Sequence, residues 1–367
     1  MRWRCSCIGL VACVSAIAAF AWLVSRREGT CQDRVSAAGG IPPEVRFVAA
    51  GIADARSKLR CARATVQHVQ TTSKAAWDIL RSVSQTFRLV GPIDSDDVQE
   101  RRATWFLRGG ELSMAVVPEQ EASPGSGLRS VRIVADEDRA QVLYEYAGSQ
   151  ARRLGNVLAR EELMPKGLWS EYEMLDPRYY AYCRGARPLD EALLDPALSA
   201  SYEGDEVVDG SQCMKVALRL GEGKSRKEEY WIDTDHGYIV RRYRKLLPFH
   251  GQSYVQCESS ASKLVESKGV WLPGLFEETS FLHKTLLPEY KGTDPTAMFV
   301  AGTKRAIVTE FQVDCEFPPG IFEMQWPPGT RVHDQVEGTT VVVGKDAAEK
   351  GGHAETEEVP APPNRNQ

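Results

Sequence analysis

Ser201-Tyr-Glu-Gly-Asp-Glu-Val-Val-Asp-Gly-Ser-Gln-Cys-Met-Lys-Val-Ala-Leu-Arg-Leu220 is followed, after a charged turn, by Arg226-Lys-Glu-Glu-Tyr-Trp-Ile-Asp-Thr-Asp-His-Gly-Tyr-Ile-Val-Arg-Arg-Tyr-Arg-Lys245. Apolar and polar residues alternate through both runs. Asp209-Gly210, Gly221-Glu222-Gly223 and Asp235-His236-Gly237 interrupt the alternation. Strict alternation broken by Asx-Gly and Gly-rich turns is the pattern of antiparallel hairpins. The stretch therefore predicts a four-stranded meander.

The same signal recurs on both sides. Upstream, Cys61 to Gln70 reads as a first strand. Ala103–Arg108 and Glu111–Val117 form a hairpin turned by Gly109-Gly110. Val131, Ile133 and Ala135 alternate with charge before Asp136-Glu-Asp138, and Val142, Tyr144 and Tyr146 follow. Downstream, Gln252–Val265, Trp271–Lys284 and Ala297–Phe311 alternate as long strands, and Thr339–Val343 as a short one. Helical spacing is rarer. From Pro43, the residues Val45, Val48, Ile52, Ala55 and Leu59 recur at steps of three and four, opposite Arg46, Asp54, Arg56 and Lys58. That is an amphipathic helix with Pro43 in its first turn. Ser73–Val90 is a softer helical stretch around Trp77 and Leu80. Ala151–Leu198 breaks the strand pattern: Leu154, Val157, Leu158 and Leu163, then Tyr172, Leu175, Tyr179 and Tyr180, fit helical pieces separated by Pro165 and Pro177. This segment is expected to cap the sheet between its two halves.

The two ends differ from the body. Cys5 to Val24 is twenty residues without charge, flanked by Arg2 and Arg4 and by Arg26 and Arg27. That length suits an uncleaved transmembrane anchor at residues 5–24. The small-x-small triplets Ala16-Ile-Ala18 and Ala19-Phe-Ala21 also allow a cleaved signal peptide, and Leu10-Val11-Ala12-Cys13 is a weak lipoprotein processing box. Under either processing the body is expected outside the cytoplasm. Residues 29–42 read as a linker, 43–343 as the folded body, and 344–367 as a disordered tail rich in Gly, Glu, Ala and Pro.

Composition excludes several functions. A net charge of -5 over 367 residues gives no basic field for nucleic acid. No Cys-x2-Cys pair, His-Glu-x-x-His run or Gly-x-Ser-x-Gly elbow is present, so no metal, cofactor or catalytic nucleophile is expected. Asp233, Asp235 and His236 cluster at a hairpin turn, where Asp and Gly serve turn geometry. The basic run Arg241-Arg242-Tyr243-Arg244-Lys245 alternates between two faces of a strand and reads as a solvated outer face, with anionic lipid as the sharper alternative. His250, His283 and His333 have no nucleophile beside them in sequence. Six cysteines (Cys31, Cys61, Cys183, Cys213, Cys257 and Cys315) are either paired or buried thiols, and sequence leaves the connectivity open.

Taken together, the order of elements resembles the outer-membrane lipoprotein-sorting (LolA-like) group. The residues carrying the likeness are the helix Val45–Leu59, the strand Gly210-Ser-Gln-Cys-Met-Lys-Val-Ala-Leu218, and Tyr230-Trp-Ile-Asp-Thr-Asp-His-Gly-Tyr-Ile-Val-Arg-Arg242. Trp271-Leu-Pro-Gly274 and Pro327-Pro-Gly-Thr-Arg-Val-His-Asp334 add to it. The resemblance spans roughly residues 43–343. It implies an α+β fold, mainly an antiparallel sheet forming an open, unclosed β-barrel that holds helices in its concave side. It also implies a binding role for lipid or lipoprotein acyl chains at the cell envelope, without enzymatic activity. The alternative is a membrane-tethered interaction or sensor module that binds an envelope protein and has no ligand cavity. The chain is about twice the usual length for the group, and an anchored protein cannot shuttle between membranes. Alternation alone nominates Trp105, Leu107, Val142, Tyr144, Val216 and Leu218 as concave lining, and it describes a packed core equally well.

Overall fold

The computed structural model describes residues 40–83, 95–119, 128–147, 152–159, 175–184, 187–220, 226–249, 252–287, 290, 292, 294 and 297–344. The apolar segment 5–24, residues 29–39 of the linker and residues 345–367 of the tail lie outside these residues. Among the described residues no helix is long and apolar enough to cross a membrane.

Strand β1 (Cys61–Thr72) is the middle of the molecule. A first meander follows it: β2 (Asp97–Arg108), β3 (Glu111–Pro118), β4 (Leu128–Ala135), β5 (Arg139–Tyr146) and β6 (Arg152–Ala159). Two short strands, β7 (Cys183–Arg184) and β8 (Arg187–Pro188), pair with each other. The second meander comprises β9 (Ser199–Val208), β10 (Ser211–Leu220), β11 (Arg226–Asp233), β12 (Ile239–Phe249) and β13 (Gln252–Ser262). The small hairpin β14 (Val265–Ser267) and β15 (Val270–Leu272) leads into β16 (Leu275–His283) and β17 (Met298–Val313). Strands β18 (Arg331–Asp334) and β19 (Thr339–Val342) end the sequence of elements. The large sheet has fifteen strands in the order β19-β18-β6-β5-β4-β3-β2-β1-β17-β16-β13-β12-β11-β10-β9. Every pairing in it is antiparallel except β18 with β6. Among the described residues its two ends do not pair, so the sheet is unclosed.

The turns follow the sequence. Asp209 and Gly210 both have positive φ (48° and 82°), as a two-residue hairpin turn requires. At the β11–β12 turn, Asp233 Oδ1 accepts the backbone N–H groups of Asp235 and His236, each at 3.1 Å, and Oδ2 lies 2.8 Å from His236 Nδ1. This buried carboxylate serves the turn.

Fifteen strands laid flat would span roughly 65–70 Å at about 4.8 Å per step. Yet Val131 on β4 and Val216 on β10 belong to one continuous apolar core. The sheet therefore curls, and its concave face closes on helices. Helix α1 (Pro43–Ser57) buries Val45, Val48, Ala49, Ile52 and Ala55. Its stripe is less clean than the spacing predicts, since Phe47 is exposed and meets the Tyr238 ring edge-on. Helix α2 (Lys74–Val83) follows β1. Helices α3 (Pro177–Tyr182) and α4 (Leu189–Leu193) come from the segment between the meanders. Asp176 caps α3, accepting the Arg178 N–H at 3.0 Å. Tyr180 of α3 stacks on Phe276 of β16, and the Arg178 guanidinium lies over Trp105 of β2. Helix α3 thus bridges the two halves of the sheet. Arg56 of α1 pairs with Asp190 of α4 at 2.6 Å.

Two sequence motifs far apart in the chain meet at one end. The Asp233–Tyr238 turn sets His236 edge-on against Trp271, while Tyr182 donates its hydroxyl to the Trp271 carbonyl. The Tyr238 ring rests on Gly51 of α1, where an added Cβ would lie 2.2 Å from ring atoms.

The outer face carries a different covering. After β17 the chain crosses the first meander from outside. Phe317 meets Phe106, Arg108 lies over Phe322, Arg132 donates to the Ile321 and Glu323 carbonyls, and Trp326 rests on Gly155. On the second meander, outer residue Trp231 is almost fully covered by its own neighbours: Lys215, Arg242 and Arg244 sit over its ring and Glu206 accepts its N–H at 2.7 Å. Edge strand β9 has a register shift opposite Lys215/Val216 beside Gly204 (φ 108°), and it carries Glu203, Asp205 and Glu206.

Three expectations need correction. Leu154, Val157 and Leu158 lie in strand β6, not in a helix, because Ala140 to Tyr144 of β5 supply a ladder that outweighs their helical spacing. Leu163, Pro165 and Tyr172 lie outside the described residues. The run Trp271–Lys284 is two strands: Pro273 has no N–H to donate, and Gly274 approaches the Lys263 carbonyl so closely that a Cβ would sit 2.0 Å from it. The run Gln252–Val265 breaks at Lys263, which adopts φ 49°. The motif from Pro327 to Asp334 lies in the described residues and contains a strand that adds parallel to β6.

The Gly51 contact generates a test. Gly51→Val is expected to destabilise the fold by about 1–3 kcal/mol through overpacking against Tyr238. In a Tyr238→Ala background the same change should cost far less, a coupling read from urea unfolding of the four proteins.

Candidate functional site

The inner face can be read as rows running across the strands, because the registers align residues of alternate parity. Near one end the rows are apolar: Trp105 opposes Ala64, which opposes Phe311, and Ala103 opposes Val66, which opposes Val308. Helices α1, α3 and α4 pack over this region. Three steps further along β1 the character changes. One row reads Gln99, Gln70, Lys304, Glu278, Ser259, Tyr243 and Tyr230, and the next reads Asp97, Thr72, Gly302, Ser280, Cys257, Lys245 and Glu228. Seven different strands contribute to each.

These polar rows floor a half-open cleft of about 170 Å³. Its walls include Gln70, Thr72, Lys245, Cys257, Glu278, Ser280, Gly302 and Lys304, with Phe281, Leu282 and Ala301 supplying apolar surface. Gly302 is required by close approach: a Cβ there would meet the Thr71 carbonyl at 2.6 Å. Lys304 pairs with Glu278 at 3.3 Å, both largely covered. Beyond the cleft, the register shift at Ser280/Phe281 turns Phe281 toward Val300 and Leu282 toward Phe299. Leu246, Leu247, Tyr254, Phe281, Leu282 and Phe299 are half-buried there, and Val300 is exposed. The cleft therefore joins a charge-paired floor to an apolar rim.

Deeper in the same face, His68 is 1% exposed and neither ring nitrogen has a hydrogen-bond partner among the described residues. Burial, followed by the Arg101 and Lys304 charges, lowers its pKa from 6.5 to about 3. Burial, with Glu278 beside it, pushes the Cys257 thiol well above its ordinary range. At neutral pH the imidazole is uncharged and the thiol stays protonated.

All six residues nominated as lining are buried: Trp105, Leu107, Val142, Tyr144, Val216 and Leu218. All six belong to the single apolar core beneath the helices, and none borders the cleft. The cleft residues escaped sequence analysis. They come from five strands, and their polarity at inward positions is visible only once the registers are known. His236 is committed to Asp233 and Trp271. His283 caps a 3-10 turn by accepting the Thr285 N–H. His333 lies beside the Thr340 hydroxyl. His250 lies outside the described residues. Among those residues no group of His, Cys, Asp and Glu is placed to hold a metal ion.

No family model and no curated protein matches the chain in sequence. Solved structures similar to it in architecture include a DUF1329 family protein from Desulfovibrio piger, with a TM-score of 0.42 and 9% identity, covering 78% of this chain and 98% of that one. Another is an outer-membrane lipoprotein-sorting protein domain from Vibrio parahaemolyticus, with a TM-score of 0.38 and 8% identity over 76% of this chain and 95% of that one. The lipoprotein LppX of Mycobacterium tuberculosis has a TM-score of 0.26 and 11% identity over 75% and 98%. One of these, the lipoprotein-sorting domain, carries the description of the group that the sequence resembles.

His68 has a thermodynamic signature. Its folded pKa lies below the unfolded one, so an unfolded chain takes up a proton below pH 6.5 that the folded chain refuses until about pH 3. The stability present above pH 6.5 is thus lost progressively as pH falls through that window. His68→Leu should bind about one proton fewer on unfolding at pH 5, measured from the slope of unfolding free energy against pH.

Proposed function

We propose that the chain is a non-catalytic binding protein of the cell envelope, held to the membrane by residues 5–24, that takes an acyl chain of a lipid or lipoprotein at the open end of its concave face. The observation that supports this is the inner-face polarity. Lys304, Glu278, Ser280 and Lys245 lie on the cleft floor, and Phe281, Leu282 and the half-buried rim lie immediately beyond. That order, polar then apolar along one channel, suits an amphiphile. Because Lys304 is already paired with Glu278, a zwitterionic or neutral polar head fits better than a bare anion. Ligand pockets commonly hold about 300–1,000 Å³. A cleft of about 170 Å³ seats a head group and the first part of a chain, with the remainder running along the rim.

The absence of catalysis is part of the proposal. A thiol nucleophile needs a lowered pKa and a basic partner. Cys257 and His68 are shifted in the opposite senses.

A second reading has its own support. Helices α1, α3 and α4 fill the apolar end of the trough, so the fold needs no ligand to complete its core. An envelope protein partner docking on the rim would then replace the acyl chain.

Native mass spectrometry of the full chain in detergent, with added lysophosphatidylcholine, separates the two. One-to-one retention is expected, and Ser280→Trp should abolish it while leaving the melting temperature within a few degrees. A chain that takes up no lysolipid, or a Ser280→Trp protein that binds as well as its parent, would sink the acyl-chain reading.

A further inference from the structure

Cys61 opens β1 and Cys315 follows the end of β17. At this junction Asp314 donates its N–H to the Cys61 carbonyl at 2.8 Å and adopts φ 47°. The left-handed residue reverses the inward-outward alternation of β17 and brings Cys315 back over Cys61. The Cys61 thiol then donates to the Cys315 carbonyl at 3.4 Å, across 254 residues of chain. The Cys315 thiol points toward the Gln312 carbonyl, 3.9 Å away, and both residues are half-buried. The other described cysteines sit elsewhere: Cys183 at the end of α3, Cys213 on β10 and Cys257 on the inner face of β13. Burial raises the Cys315 thiol first, and the Cys61 thiol beside it raises it further. Such thiols are poor nucleophiles and suit a structural role.

We propose that Cys61 and Cys315 are joined by a disulfide in the mature protein. The proposal rests, for its occurrence in the cell, on the extracytoplasmic placement argued above. The step is a thiol–disulfide exchange. The two S–H bonds give way to one S–S bond, and two electrons and two protons pass to the disulfide of a thiol oxidase, which leaves as a dithiol. The bridge ties the centre of the sheet to the start of the outer strap that carries Phe317, Phe322 and Trp326. A loop of this length gives a cross-link its greatest effect on the unfolded chain.

The full chain in detergent, reduced and then equilibrated with oxidised glutathione, tests the pairing directly. Proteolysis and mass spectrometry under non-reducing conditions should recover one peptide pair joined through Cys61 and Cys315, lighter by two hydrogens than its parts. Reduction should lower the melting temperature by roughly 5 °C or more. Cys61→Ser and Cys315→Ser proteins should show no such response. A second arm isolates the chain from its own cells with thiols blocked at lysis. No Cys61–Cys315 bridge in either arm overturns the pairing and leaves the placement standing. A bridge with glutathione but blocked, free thiols from cells overturns the disulfide in the cell and counts against the extracytoplasmic placement.

Discussion

The pairing of β1 with β17 is the joint on which the molecule depends. Eleven residue pairs, from Ala62 with Val313 to Thr72 with Gly302, hold the first meander to the second. Without that ladder each half would be a smaller sheet with one wet and one apolar face, and the apolar faces would have no common interior. With it, a single core forms and the helices find a place inside the curve. The same ladder carries the change from Val66 to His68 and Gln70, so the division of the inner face into a sealed apolar end and an open polar end is laid down along its length.

Helix α3 shows what the curl accomplishes. It is six residues long, too short to be stable on its own, and is held by Asp176 at its start and by aromatic contacts on both sides. Trp105 reaches it through Arg178 and Phe276 through Tyr180, from strands on opposite sides of the joint. The apolar end of the trough is thereby filled with the protein's own side chains, which concentrates any binding at the cleft near Lys304 and Glu278.

Local chemistry made much of this legible. Asp209-Gly210, Gly109-Gly110 and Pro43 mark their turns and helix start because backbone conformation there is decided by the residues themselves. What failed was decided elsewhere in the chain. Leu154 and Leu158 keep helical spacing, yet strand β5 recruits them. Pro273-Gly274 breaks a run whose alternation continues on either side. Trp105 and Val216 face inward as alternation predicts, but no periodicity distinguishes a packed side chain from one that lines a void. The cleft was hidden for the same reason. Gln70, Lys304, Glu278 and Lys245 become neighbours only through four registers, and none of those is written in any one segment.

An unclosed sheet has two free ends, and this one treats them unequally. Strand β9 is ten residues long, yet its ladder is interrupted at Gly204 and it displays Glu203, Asp205 and Glu206. A second copy approaching that side would meet carboxylates already ion-paired to Lys215 and Lys227, and a bent template. Among the described residues the opposite end is β19, four residues from Thr339 to Val342. Length on one side is made safe by charge and distortion, and near-neutral composition on the other by brevity. The protein can therefore remain open, as a trough must, without becoming a seed for endless lateral growth of the sheet.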